Sequence, residues 1–247
     1  MNERYKYQLG LPGWGEKGQE ALARKKVAIV GLGGLGSHSA IMLARSGVQR
    51  FGLADPDTVA ISNLHRQSFT EDDVDRGRSK VHAIHEQISY INKWATCERW
   101  FNLVEVEHMP PFMDGVDLII DGLDNWPARY ALNDYCVEHG IPFIYGAVSG
   151  VMGMVYPILP KTKNGDTPWE KKGIWTRNLR EAFGEPPDER SPSSKTPISL
   201  GPLLPIIANL QVIEALKILI GNYEAVNKNL VSFNAWEGKW REIDVNR

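Results

Sequence analysis

The sequence of 247 residues predicts an α/β fold in which helices cover both faces of a mostly parallel β-sheet. Two patterns support this fold class. Short apolar runs rich in β-branched residues alternate with longer segments of helical spacing, as in right-handed βαβ units. A glycine-rich turn joins the first apolar run to the first helical segment. Hydrophobic residues make up 43% of the chain and charged residues 23%, which is typical of a globular protein.

Glycine, proline and capping residues set the boundaries of the predicted elements. The segments that precede and follow each strand are polar or rich in glycine. Strands are predicted over residues 26–31, 51–55, 116–121, 143–146, 151–159, 229–233 and 239–245. Helices are predicted to end at Gly47, to run from Ser79 to about Asn92, to run from Trp126 to His139, and to lie within residues 200–220.

The apolar stretch over residues 200–220 does not predict a membrane span, because prolines and polar residues interrupt it. Within it, Ile213, Leu216, Lys217 and Ile220 follow helical spacing and predict an amphipathic helix docked on a core. The polar N-terminal residues lack the apolar segment of a signal peptide. We therefore expect a cytoplasmic protein that does not interact with a membrane.

Net charge and cysteine content narrow the classes of function. A formal charge of −2 gives no general attraction for nucleic acid, so neither nucleic acid nor an anionic membrane is expected as a partner. The two cysteines, Cys97 and Cys136, exclude a disulfide framework and a four-cysteine zinc site made by one chain. We expect no bound zinc.

The strongest local motif is a run of glycines between the first predicted strand and the first predicted helix. Backbone N–H groups in such a turn bind phosphate oxygens at the positive end of the helix, as in a Rossmann-like nucleotide site. Asp55 closes the second strand, where a carboxylate binds ribose hydroxyls. These features predict a nucleotide without naming it. The glycines of the motif are Gly31, Gly33, Gly34 and Gly36.

Charged side chains follow the same edge of the predicted sheet. Arg66 lies after the second strand, Lys80 begins the following helix, and Asp121 and Asp124 follow a later strand. Two cations and two carboxylates suit phosphoryl chemistry, with an aspartate as a magnesium ligand, better than hydride transfer. Taken singly, each has another explanation, since Lys80 resembles a solvated residue, Arg66 an ion-pair partner, and either aspartate a cap. Their joint placement beside one glycine loop favours a functional site.

Several longer motifs occur along nearly the whole chain: GQEAL, VGLGGLG, LADPDTVAISNLHRQ, GRSK, LIIDGLDNWPAR and LQVIEALKIL. As a set they resemble the ThiF/MoeB/HesA superfamily, bacterial relatives of the ubiquitin-activating enzymes. The resemblance implies an adenylyltransferase that uses ATP and Mg²⁺ to activate the C-terminal glycine carboxylate of a carrier protein, releasing pyrophosphate. The implied partners are a small ubiquitin-like sulfur carrier ending in Gly-Gly and a second copy of the chain.

The resemblance also assigns roles to individual residues. Those expected to contact nucleotide or metal share the carboxyl edge of the sheet. Gly33 and Gly34 would cradle the phosphates, Asp55 would bind the ribose, and Asp124 would hold magnesium; Asn63, Arg66, Gln67 and Lys80 would line the phosphate and transition-state side, with Asp57, Asn125 and Arg129 in support.

Three departures from the family pattern limit these roles. The chain has no CxxC pair for zinc and no cysteine within residues 160–197, where many relatives carry a reactive thiol. Cys136, inside a predicted helix, is expected to be a packed thiol. Tyr7 stands where relatives have an arginine that reaches the partner subunit's ATP, so either Arg4 or Lys6 substitutes for it or that contact is absent.

We expect one domain over residues 1–247, with an N-terminal arm (1–25), a nucleotide-binding half (26–147) and a substrate and dimer half (148–247). Residues 160–197 carry two tryptophans and predict a mobile crossover loop that docks over the substrate tail. A disordered insertion is the alternative for this segment. The alternatives for function are adenylation of a ribosomal peptide or a modified tRNA base, a non-catalytic nucleotide-binding module, and an NAD-dependent oxidoreductase.

Overall fold

The computed structural model describes residues 2–102, 110–186 and 198–245 and contains an eight-stranded sheet in the order β3-β2-β1-β4-β5-β6-β7-β8. The first five strands in this order pair in parallel, and the last three join by antiparallel pairing. The strands are β1 (Lys26–Val30), β2 (Arg50–Ala54), β3 (Thr96–Trp100), β4 (Leu118–Asp121), β5 (Phe143–Ser149), β6 (Met152–Ile158), β7 (Leu230–Asn234) and β8 (Lys239–Ile243).

Helices cover both faces of this sheet, as the alternating pattern predicts. One cluster of buried side chains joins α2, α3, α5 and α8 to one face, and a second joins α6 and α7 to the other. In the described part of the chain, no helix is long and apolar enough to cross a membrane. The helices are α1 (Asn2–Leu9), α2 (Gly15–Arg24), α3 (Gly36–Ser46), α4 (Glu71–Asp75), α5 (Lys80–Ile91), α6 (Trp126–His139), α7 (Leu179–Phe183) and α8 (Leu203–Leu219).

The helix ends confirm the predictions for Gly47, Gly140 and Ser79, whereas α6 is capped by Asn125 and not by Asp124. Gly47 follows α3 with φ of 111° and Gly140 follows α6 with φ of 63°, conformations that glycine adopts without a steric penalty. At the other ends, the side chain of Ser79 accepts a hydrogen bond from the His82 N–H, and Asn125 accepts one from the Ala128 N–H.

The buried face of α8 differs from the predicted one. Ile213 is 48% exposed and Lys217 is only partly buried, whereas Ile207, Gln211 and Ala215 are fully buried. Apolar residues occur all round this helix, so helical spacing alone does not identify the inward stripe. The prediction of a docked helix is confirmed; of the residues that it named, Leu216 and Ile220 pack against the core, whereas Ile213 is exposed.

Specific contacts hold two segments in which no helix or strand was predicted. In the arm, Gln8 donates to Gln19 Oε1 and to the Ser46 carbonyl, which ties α1 to α2 and to the end of α3. In the crossover segment, Trp169 is buried and its indole N–H donates to the Pro160 carbonyl. Part of that segment, residues 187–197, lies outside the described residues.

Candidate nucleotide-binding site

The glycine loop between β1 and α3 is shaped by close backbone contacts. Gly31 has φ of 84°, which turns the chain after β1. A Cβ atom on Gly36 would lie 1.8 Å from the Gly31 carbonyl oxygen, and one on Gly122 would lie 2.0 Å from the same oxygen. These glycines therefore allow the start of α3 and the end of β4 to converge on the turn.

Gly33 and Gly34 have different surroundings. A Cβ atom on Gly34 would lie 1.7 Å from Leu204 Cδ2, so this glycine makes room for α8. A Cβ atom on Gly33 would have Gln67 Nε2, at 3.8 Å, as its nearest neighbour among the described residues. The backbone at Gly33 is therefore the open part of the loop, where a phosphate can approach.

Asp55 fixes the glycine loop through its carboxylate. Its Oδ2 accepts a hydrogen bond of 2.7 Å from the Leu32 N–H, and its Oδ1 accepts one of 2.9 Å from the Asp57 N–H. Burial raises the pKa of this carboxyl, and the positive charge of Lys80 opposes that effect. Asp55 thus holds the loop, and its predicted ribose contact stays a prediction.

Lys80 is a buried cation rather than a solvated helix residue. Its side chain is 7% exposed, and Nζ lies 2.6 Å from Asp57 Oδ2 and 3.7 Å from Asp55 Oδ1. Asp57 is by contrast 63% exposed, so one side of the ion pair faces solvent. Lys80, the first residue of α5, thus contacts both Asp57 and Asp55, and Asp55 is the carboxylate that holds the glycine loop. Three predicted site residues therefore lie together.

The turn after β2 brings Gln67 to the glycine loop. Gln67 is 8% exposed, and its Oε1 finds no hydrogen-bond partner among the residues that the structure describes. Such an unpaired buried oxygen is uncommon and suits a missing ligand or water. The Asn63 side chain accepts from the Ala60 N–H, and the Arg66 guanidinium donates to the Ser62 carbonyl. Those two side chains thus bond within their own turn.

A polar network that the sequence did not reveal joins this turn to α3. Ser37 Oγ donates to the Gly33 carbonyl and accepts from the Ser68 N–H, and His38 Nδ1 lies 2.8 Å from Ser68 Oγ. His38 Nε2 lies 3.2 Å from the Arg66 carbonyl oxygen, and burial lowers the pKa of this histidine. The available signal was the polar run SHS directly after the last glycine of the motif.

The loop after β4 is held by a buried ion pair. Asp121 has no exposed surface. Its carboxylate accepts a hydrogen bond of 2.6 Å from Arg129 Nε and one of 2.9 Å from the Leu123 N–H. Burial raises the pKa of Asp121, and the charge of Arg129 opposes this rise. Arg129 also donates to the Leu123 carbonyl, and its supporting role at the site stays a prediction. Asp121 therefore shapes the loop and leaves the next aspartate, Asp124, as the exposed one.

Asp124 and Asn125 lie at the exposed start of α6. No group of three or more His, Cys, Asp or Glu side chains suited to a metal occurs in the described ranges. Asp124 offers an exposed carboxylate here, as Asp57 does after β2, and the magnesium role of Asp124 stays a prediction.

Neither cysteine is an activated nucleophile. Burial raises the pKa of Cys97 to about 12. Cys136 is 1% exposed, and burial raises its pKa well above the usual value. A thiol reacts as its thiolate, so both remain unreactive near neutral pH. The packed-thiol prediction for Cys136 is confirmed.

The fold is an α/β sheet covered by helices, and its carboxyl edge carries a glycine loop beside buried charged side chains. The ThiF family model matches residues 5–247. The chain belongs to the ThiF family, as its motifs predict.

Curated relatives match along nearly the full chain. The sulfur carrier protein adenylyltransferase of Thermus thermophilus is 33% identical over 247 residues, covering 99% of this chain and 88% of that protein. The sulfur carrier protein ThiS adenylyltransferase of Escherichia coli is 30% identical, covering 99% and 91%. The molybdopterin-synthase adenylyltransferase of Salmonella typhimurium is 32% identical, covering 99% and 92%.

Solved structures share the fold. The microcin C7 biosynthetic enzyme MccB, in complex with N-formylated MccA, matches with a TM-score of 0.81 and 22% identity, covering 100% of this chain and 73% of that one. Escherichia coli MccB with ATP matches with a TM-score of 0.76 and 22% identity, covering 100% and 72%. These matches confirm the α/β architecture.

Proposed function

We propose that this protein is an ATP-dependent adenylyltransferase that activates the C-terminal glycine carboxylate of a small ubiquitin-like sulfur-carrier protein. Family membership and the printed names of the curated relatives support this function. The observation that carries it is the link from Lys80 through Asp55 to the Leu32 N–H. It places a buried cation beside an open glycine loop, as charge stabilisation of a phosphoryl group requires.

The residues present fit a bound nucleotide. The backbone at Gly33 is open, and the buried Gln67 beside it has an oxygen without a hydrogen-bond partner among the described residues. We assign Lys80 and Arg66 to the phosphates and Asp124 to a magnesium ion that would neutralise phosphate charge when bound. The wider proposed contact set comprises Gly31, Gly34, Gly36, Asp55, Asp57, Asn63 and Asn125.

The reaction forms a bond between a carboxylate oxygen and the α-phosphorus of ATP and breaks the bond from that phosphorus to the bridging oxygen. The leaving electron pair departs with pyrophosphate, and the product is an acyl-adenylate. The carboxylate is already ionised, so the residues align and stabilise charge rather than remove a proton. Because burial raises the pKa of both thiols, we assign a later sulfur transfer to another protein.

The proposed active form is a homodimer in the cytoplasm, where ATP is available. Two large apolar side chains on α8, Ile206 and Ile213, are 41% and 48% exposed, and a second copy of the chain would cover such a face. We also propose that Arg4, Lys6 or Tyr7 on α1 reaches the partner's nucleotide. Sedimentation velocity would show the dimer, and a monomer at all concentrations would contradict it.

The test is ATP–pyrophosphate exchange with purified candidate carriers ending in Gly-Gly. We expect exchange that requires both the carrier and Mg²⁺ and that disappears when the terminal glycine is removed. If a ribosomal peptide or a modified tRNA supports exchange and no carrier does, the carrier assignment is wrong and adenylation stands. If no carboxylate supports exchange, the protein is a nucleotide-binding module.

The variant Asp124→Ala probes the metal within the same assay. We expect exchange to fall by about 100-fold or more, because the nucleotide would lose its protein-held magnesium ligand. The matched control is Asp134→Ala, which removes an exposed aspartate of α6. Asp134 lies farther along that helix and pairs with Arg180. Full exchange in Asp124→Ala would remove this carboxylate from the mechanism.

A further inference from the structure

Gln211, at the centre of α8, joins two strands that lead into the site. Its side chain has no exposed surface. Its Nε2 donates to the Asp121 carbonyl at 2.8 Å and to the Ile144 carbonyl at 3.0 Å. Asp121 is the last residue of β4 and Ile144 is the second residue of β5. One amide from the second half of the chain thus holds the ends of two neighbouring strands.

The two carbonyls lie where β4 and β5 separate. The ladder between these strands pairs Ile119 with Phe143 and Ile120 with Ile144. After it, β5 continues as the partner of β6, while the Gly122 N–H donates to the Val30 carbonyl of β1. The Gln211 amide therefore occupies the place where the strands diverge, at the crevice where open α/β sheets bind ligands.

The backbone of β5 leaves space for this amide. A Cβ atom on Gly146 would lie 2.4 Å from Gln211 Nε2 and 3.0 Å from its Oε1. The Gly146 carbonyl accepts a hydrogen bond from Arg129, the partner of Asp121. Gly146 is thus required by the side chain opposite it, and the amide and the ion pair form one connected unit.

This unit fixes both ends of Asp121. Gln211 holds its carbonyl, and Arg129 and the Leu123 N–H hold its carboxylate. The chain reaches Asp124 three residues later. Any displacement of the Asp121 backbone would therefore move the loop that carries Asp124.

We propose that Gln211 is a positioning residue, which sets the separation of β4 and β5 and thereby aims the loop of Asp124 at the magnesium nucleotide. The inference rests on the proposed function, in which Asp124 holds the metal. A merely structural Gln211 would stabilise the fold without affecting how the protein uses magnesium.

The first test is Gln211→Leu, which keeps the volume of the side chain and removes both donors. We expect the Mg²⁺ concentration for half-maximal exchange to rise about 10- to 100-fold, as for residues that orient metal ligands. Asn92→Leu is the matched control, because Asn92 is also fully buried and donates to a backbone carbonyl, that of Val48, before β2. Equal Mg²⁺ dependence in the two variants would overturn the proposal.

The second test is independent of activity. The Leu123 N–H donates to the Asp121 carboxylate, and Gln211→Leu removes the hydrogen bond that holds the Asp121 carbonyl. We therefore expect the Leu123 amide to exchange with deuterium about tenfold faster, while Asn92→Leu leaves that amide protected. Unchanged protection of the Leu123 amide in Gln211→Leu would overturn the proposal. If the wild-type protein supports no exchange with any carboxylate, the proposed function fails, whereas this measurement still decides whether Gln211 holds the loop.

The third test uses the shared space of Gly146 and Gln211. Gly146→Ala should displace the Gln211 amide and produce the same change in Mg²⁺ dependence. In a Gln211→Ala background the added methyl group has room, so the double variant should be no worse than Gln211→Ala alone. Additive effects of the two substitutions would contradict a common mechanism.

Discussion

Gly33 and Gly34 are adjacent, yet different physical reasons require glycine at the two positions. Gly34 packs directly against Leu204 of α8, while the backbone at Gly33 is open. The glycine motif predicted a phosphate loop but could not divide these roles. The contact to Leu204 spans 170 residues of sequence, which no local pattern encodes.

The two glycines therefore predict opposite phenotypes. Gly34→Ala should lower the free energy of unfolding by about 1–3 kcal/mol, because its methyl group overlaps a packed leucine. Gly33→Ala should leave that free energy nearly unchanged and weaken ATP binding, because its methyl group stands where a phosphate approaches. Urea unfolding and calorimetric titration with ATP measure the two effects. A stable Gly34→Ala protein would contradict the packing account.

At the scale of the element, α5 begins at Lys80 and so positions this side chain at the site. Ser79 caps this helix by accepting a hydrogen bond from the His82 N–H. Ser79→Ala should lower the free energy of unfolding by about 1 kcal/mol, because a helix N–H loses its acceptor. Ser89→Ala, on the exposed side of the same helix, should change it by less than about 0.5 kcal/mol. Equal urea midpoints for the two variants would show that the cap contributes nothing.

Helices bounded by a glycine or a capping residue could be predicted from the sequence, and elements without such a boundary could not. Gly47 follows α3, Gly140 follows α6 and Ser79 caps the start of α5, and the predicted limits of these helices are confirmed. In β3, which lies at the sheet edge, three of five residues are exposed, so it shows no buried apolar run. The inward face of α8 could not be read because apolar residues surround the helix.

At the scale of the whole molecule, the site combines both halves of the chain. The glycine loop, Asp55, Lys80 and the Asp124 loop come from the first half, and their shared edge follows from the order of the parallel strands. Leu204 and Gln211 come from the second half and contact that edge through α8. Motifs predicted the first group, whereas the second group depends on packing between distant segments.

The central claim is that the adenylyl group of ATP, which contains the α-phosphorus, passes to a carrier's carboxylate. The most direct measurement is transfer of radiolabel from α-labelled or γ-labelled ATP to a carrier ending in Gly-Gly, analysed without a thiol or amine acceptor. We expect the α-label to remain with the carrier as an acyl-adenylate and the γ-label to leave as pyrophosphate. Transfer of the γ-label to the carrier, or retention of neither label, would contradict the proposed chemistry.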